Sequence, residues 1–134
     1  NYFEQYLGQF PAQVFDKINE NFIRCSFFEL CSRYLSSCYT FAIEQNNSAG
    51  RSDFEMTGIP GTDYYKDDRL AEFKYFKAKE AERMLALSDP RPEDVAQVLA
   101  YAKDTKVKFP HYHVRSYIVY ICANKGWKCW EVTP

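Results

Sequence analysis

The stretch from Pro11 to Gln45, PAQVFDKINENFIRCSFFELCSRYLSSCYTFAIEQ, contains no glycine and no proline after its first residue. Phe15, Ile18, Phe22, Cys25, Phe28, Cys31, Leu35, Cys38 and Ala42 recur at steps of three and four, the period of an α-helix. Pro11 suits a first helical position, where its missing N–H leaves nothing unsatisfied. Val14, Ile23, Phe27, Leu30, Tyr34 and Phe41 add a second stripe. The apolar face is then too wide for a two-helix seam and calls for cover on more than one side. One unbroken helix would be roughly 50 Å long at about 1.5 Å per residue. Either other helices lie along it, or it breaks near Ser36-Ser37.

The 134 residues suit a single domain, 1–134. Arg24, Glu29, Arg33 and Glu44 interrupt the most hydrophobic stretch, which excludes a helical membrane span there. Aromatic residues make up 18% of the chain, more than a core of this size readily buries, so part of them is expected at a surface that meets a partner. Charge is uneven. Residues 1–63 carry four basic and eight acidic side chains, and residues 103–134 carry six and two. The basic tail can complement the acidic front or meet an anionic partner. The five cysteines lack the spacing of a disulfide scaffold. Cys25, Cys31 and Cys38 read as small buried hydrophobes in a reducing compartment, cytoplasmic or, because the chain begins at Asn1 and leaves room for a removed leader, mitochondrial.

Past Gln45 the composition changes. Residues 46–65 hold three glycines and a proline and read as a long loop, either mobile, ordered by a partner or functional. Lys66 to Ser88 reads as a helix capped by Thr62 or Asp63, with Leu70, Phe73, Ala81, Met84 and Leu85 on its apolar face. Pro92-Glu93-Asp94 opens the next helix, where Val95, Val98, Leu99 and Ala102 share one side and the end falls near Asp104. Val114, Tyr117, Ile118, Ile121 and Cys122 again follow helical spacing. A β-hairpin turning at Asn124-Lys125-Gly126 competes with that helix, because Tyr, Ile and Val favour strands. The helix is preferred on its helical flanks, and Trp127 to Pro134 becomes a packed tail.

His111 and His113, with Cys122 and Cys129 as possible company, are the first candidate for a metal site. On a helix, positions i and i+2 diverge by about 200°, so no metal site is expected, and no cofactor. No G-x-S-x-G, phosphate loop, H-E-x-x-H or dinucleotide fingerprint is present. Asp67-Asp68 and Glu93-Asp94 read as favourable charges at helix starts. The reading is therefore non-enzymatic. Lys106, Lys108 and Arg115, interleaved with Tyr112, Trp127 and Trp130, are the candidate partner-binding residues, since cations beside rings suit nucleic acid.

From Lys79 to Gly126, KEAERMLALSDPRPEDVAQVLAYAKDTK followed by SYIVYICANKG resembles a junction between helical hairpins of the tetratricopeptide and pentatricopeptide type. That resemblance implies stacked helix pairs and a protein- or RNA-binding surface. The expected fold is all-α, with four to five helices and helical hairpins packed on a long central helix. The expected function is a non-catalytic scaffold, an accessory subunit of a larger intracellular assembly that binds another protein or itself as a homodimer. RNA binding through the basic C-terminal segment is the alternative.

Overall fold

The computed structural model describes residues 20–47 and 50–133. Its elements in chain order are α1 (Glu20–Leu35), β1 (Tyr39–Asn47), β2 (Gly50–Gly58), β3 (Asp67–Phe76), α2 (Ala78–Leu85), α3 (Pro92–Lys108), β4 (His113–Cys122) and β5 (Gly126–Val132). The all-α expectation is overturned: the described residues form a five-stranded sheet in the order β1-β2-β3-β4-β5, with helices against it. Neighbouring strands are antiparallel except β3 and β4, which run parallel. A parallel pair needs a crossover, and α2 with α3 supplies it. The repeat-like stretch from Lys79 to Gly126 thus holds a short helix, a long helix and a strand rather than a helical hairpin.

The expected central helix ends at Leu35, and residues 11–19 of it lie outside the described residues. The turn at Ser36–Cys38 is closed by the Cys38 amide donating to the Leu35 carbonyl at 3.0 Å, where the sequence offered a break. Tyr39-Thr40-Phe41-Ala42-Ile43 then continues as a strand, as its β-branched and aromatic content favours. The expected loop over 46–65 contains the whole of β2, which pairs with β1 on one side and β3 on the other. Its last residue must be glycine. A Cβ on Gly58 would lie 1.6 Å from the Tyr64 carbonyl oxygen, because the β2–β3 connection folds back over it.

The expected helix over 66–88 divides into β3 and α2, joined through Lys77 alone. Beyond α3, which begins at Pro92 as its sequence indicated, the last expected helix is the hairpin of β4 and β5. Its register runs from Ser116↔Val132 to Cys122↔Gly126. Gly126 sits at φ +153, in the region that favours glycine.

The two sheet faces are covered by different helices. On one, Phe27 of α1 meets Phe54 and Phe73 in ring contacts of 5.0 and 5.1 Å, and Cys31 and Ile121 complete that cluster. On the other, Ile118, Tyr120 and Cys122 pack with Ala81, Met84 and Val98, while Leu70 meets Tyr101 and Ala102. Each fully buried apolar side chain contributes about 1.5–3 kcal/mol. No described helix is long and apolar enough to cross a membrane.

Candidate active site

Strand alternation puts Asp68, Leu70, Glu72 and Lys74 on the face of β3 that looks toward α3. Leu70 belongs there. Asp68 and Glu72 are carboxylates at positions otherwise given to apolar side chains, and both are buried. Burying a charge in this way is costly unless it is partnered. Glu72 is partnered: the Lys74 Nζ lies 3.3 Å from its Oε1, with the two side chains 3% and 20% exposed. On β2 the last residue paired with β3 is Phe54, opposite Ala71. The next positions of the two strands are Asp53 and Glu72, so a second acidic residue sits on the strand beside Glu72.

Across the parallel register, Glu72 and Lys74 stand opposite Ile118 and Tyr120, both fully buried. Tyr120 is held in place. Its hydroxyl donates to Asp94 Oδ2 and accepts the Arg91 amide at 3.0 Å, and Arg91 Nε donates to the same Asp94 oxygen at 2.9 Å. The Arg91 guanidinium also lies over the Phe76 ring at 5.1 Å. Burial first, and the Asp94 carboxylate next, raise the Tyr120 phenol above its ordinary pKa. These contacts lock the start of α3 onto the strand that flanks Lys74.

A second acidic pair lies further toward the start of β3. Asp68 is 0% exposed, and neither of its carboxyl oxygens receives an N–H or O–H from the described hydroxyls and amides. Its neighbour is the Glu55 carboxyl on β2, and two carboxyls can bond only when one of them keeps a proton. Burial chiefly, with the Glu55 charge behind it, pushes Asp68 up to about 8. Glu55 is raised as well, mainly by burial and partly offset by the Thr57 hydroxyl, which donates to it at 3.4 Å.

The six residues singled out from the sequence do not form one patch. Lys106 and Arg115 line a groove between α3 and the beginning of β4, and Lys106 Nζ donates to the Tyr112 carbonyl at 2.5 Å. Tyr112 stacks on Phe109 nearby. Lys108 turns to Asp104 at 3.5 Å. Trp127 lines a cavity on the α1 side of the sheet, whereas Trp130 meets Tyr120 on the other side and donates to the Ser88 carbonyl at 3.0 Å. Strand alternation in β5 separates the two tryptophans. His113 and Cys122 are the two ends of β4, about 30 Å apart at roughly 3.3 Å per residue, so these two do not converge. Among the described residues no three or more His, Cys, Asp or Glu side chains group so as to hold a metal ion.

A family model described as the PD-(D/E)XK nuclease superfamily matches residues 18–131. No curated protein matches, and no solved structure does. The match spans most of the chain, and the chain belongs to the PD-(D/E)XK nuclease superfamily. This membership replaces both the helical-repeat resemblance and the non-catalytic scaffold or RNA-binding repeat expected from the sequence.

The family name contains a pattern, an acidic residue, any residue and a lysine, that occurs twice here: Glu72-Phe73-Lys74 and Asp104-Thr105-Lys106. Secondary structure separates them. The first lies on β3, where positions i and i+2 share a face. The second lies on α3, where they diverge, and there Lys108, not Lys106, bonds Asp104. No Pro-Asp dipeptide occurs in the chain; the aspartate on the strand adjoining Glu72 is Asp53, preceded by Ser52. Sequence reasoning missed Glu72 and Lys74 because it placed them on a helix.

Proposed function

We propose that this chain is a metal-dependent nuclease that hydrolyses phosphodiester bonds at Glu72, Lys74 and Asp53. One observation supports the reading above the others: Glu72 and Lys74, the acid and lysine of the family pattern, share one face of β3, 3.3 Å apart in a chain of nuclease-superfamily membership. The donor chemistry fits a hard divalent cation such as Mg²⁺ or Mn²⁺, which takes carboxylate oxygens and keeps several waters. Glu72 and Asp53 would hold it. Such an ion, when bound, polarises a phosphoryl oxygen and lowers the pKa of bound water.

The rest falls to the chain itself. Lys74 brings a positive charge beside Glu72, where it draws a phosphate oxygen and stabilises negative charge that develops on the phosphoryl group. The buried side chains of Leu70, Ile118 and Tyr120 make a stiff, dry wall around the pair, and electrostatic effects are stronger in such surroundings. The test is direct. The purified chain is incubated with single-stranded and double-stranded DNA in Mg²⁺, in Mn²⁺ and in chelator. Cleavage that needs the ion and disappears in Glu72→Gln and Asp53→Asn supports the reading. Cleavage unchanged in those variants, or absent from the wild type with both ions, overturns it.

A further inference from the structure

At the end of the sheet where β3 and β4 begin, two loops are tied together. The His113 amide donates to the Lys66 carbonyl at 2.7 Å, the Tyr112 amide to the Phe109 carbonyl at 3.0 Å, and the Phe109 amide to Thr105 at 2.9 Å. The loops therefore present their side chains from a fixed backbone. Phe109 and Tyr112 lie stacked, with ring centroids 5.3 Å apart and planes at 21°. Tyr65 meets Tyr112 edge-on at 6.2 Å, and Lys66 Nζ lies over the Tyr65 ring at 5.6 Å. Yet Phe109 is still 42% and Tyr65 47% exposed. Rings this exposed leave apolar surface in water, at a cost that burial in a core would have removed.

Beside the rings runs the groove between α3 and β4, about 830 Å³ in volume. Lys103, Lys106, His113 and Arg115 line it, and Glu131 is the acidic residue among its lining. A basic groove next to open rings is the pairing that single-stranded nucleic acid recognition uses: cations track the phosphates while successive bases stack. A duplex offers its phosphates but keeps its base faces covered.

Building on the nuclease reading, the geometry points to a single strand with unpaired bases as the ligand of this end of the molecule. Its bases continue the Phe109–Tyr112 stack, and its phosphates lie along Lys103, Lys106 and Arg115. Asp67, the first residue of β3 beside these loops, is about 17 Å from Glu72, five residues at roughly 3.3 Å each, and a strand bound at the platform has that length of β3 to follow to the site.

The experiment measures binding by fluorescence anisotropy with a labelled dT12 strand and a 12-base-pair duplex, in chelator so that nothing is cleaved. The wild type is expected to bind dT12 more tightly than the duplex. Phe109→Leu keeps an apolar side chain but cannot stack, and is expected to lose about fivefold or more in dT12 affinity; Phe109→Tyr restores it. Arg115→Ala is expected to weaken both ligands and to flatten the dependence on salt by about one phosphate contact. Tighter binding of the duplex, or identical dT12 affinity in Phe109→Leu and wild type, overturns the inference. Because chelator removes cleavage, a chain that binds dT12 through Phe109 but never cuts would refute the nuclease reading alone. A chain that cuts but ignores Phe109 would refute this inference alone.

Discussion

Glu72 Oε1 and Lys74 Nζ lie 3.3 Å apart on the α3-facing side of β3, with Phe73 between them turned to the opposite face and only 1% exposed. Phe73 packs against Phe27 and Phe54 under α1, so the residue that anchors the strand also fixes the direction of its two neighbours. Exchanging either charged partner leaves this anchor in place, but removing Lys74 also takes the cation from the buried Glu72 carboxylate, which lowers stability as well as chemistry. Lys74→Ala leaves the Phe73 anchor intact and is expected to lower the cleavage rate by about 10²-fold or more, the usual cost of removing one positioned charge-stabilising donor. Single-turnover cleavage, with circular dichroism as the check on folding, measures it.

An ion that binds only the folded chain stabilises it in proportion to the logarithm of its concentration. Mn²⁺ at a hundred times its dissociation constant is expected to add about 2.7 kcal/mol, seen as a rise in Tm that chelator reverses. In Glu72→Gln the rise should vanish. A rise that persists in the variant would place the ion elsewhere.

Asp68 makes the stability of the fold depend on pH in an unusual direction. Its carboxyl, buried beside Glu55, is raised from 3.8 to about 8. Between those values the unfolded chain has released this proton and the folded chain has kept it. The folded state then binds more protons, and stability falls as pH rises, by at most about 1.4 kcal/mol per pH unit for one group. Thermal unfolding in chelator from pH 4 to 8 is expected to show this downward contribution. Asp68→Asn, which stays neutral throughout, should flatten it and be relatively more stable at pH 8.

How far the sequence disclosed this arrangement differed from element to element. α3 was legible because one face is buried and the other wet: Val98 and Ala102 go inward while Lys103 and Lys106 stay exposed. β4 was not, because a strand covered on both faces has apolar residues at nearly every position, which satisfies a helical period as readily as any other. Its Tyr-Ile-Val-Tyr-Ile run was the usable signal, through β-propensity rather than spacing. In β3, Leu70 and Phe73 lie on opposite faces of a strand yet fall three apart, so they imitate a helical stripe that α2 then extends with Ala81 and Met84. That misreading concealed the site. Glu72 and Lys74 diverge on a helix and converge on a strand, so their chemistry became visible only with the backbone. Of the six residues proposed from the basic tail, Lys106, Arg115 and Tyr112 come to one end of the sheet, while Trp127 and Trp130 are parted by the alternation of β5.

The Tyr120 hydroxyl tests whether the start of α3 supports the site from behind. It donates to Asp94 and accepts from the Arg91 amide, and Asp94 is itself buried. Tyr120→Phe keeps the ring contacts with Phe76 and Trp130, at 5.0 Å each, and removes only the oxygen. The Arg91 amide then loses its acceptor, and Asp94 keeps Arg91 Nε as its remaining donor. Leaving buried polar groups unsatisfied costs about 1–3 kcal/mol, and the variant is expected to unfold at lower denaturant with an unchanged m-value. Because Tyr120 stands opposite Lys74 across the parallel register, the loosened wall should also reach the chemistry, lowering the cleavage rate without weakening dT12 binding in chelator. Loss of stability with an unchanged rate would show that this network supports α3 but not Lys74.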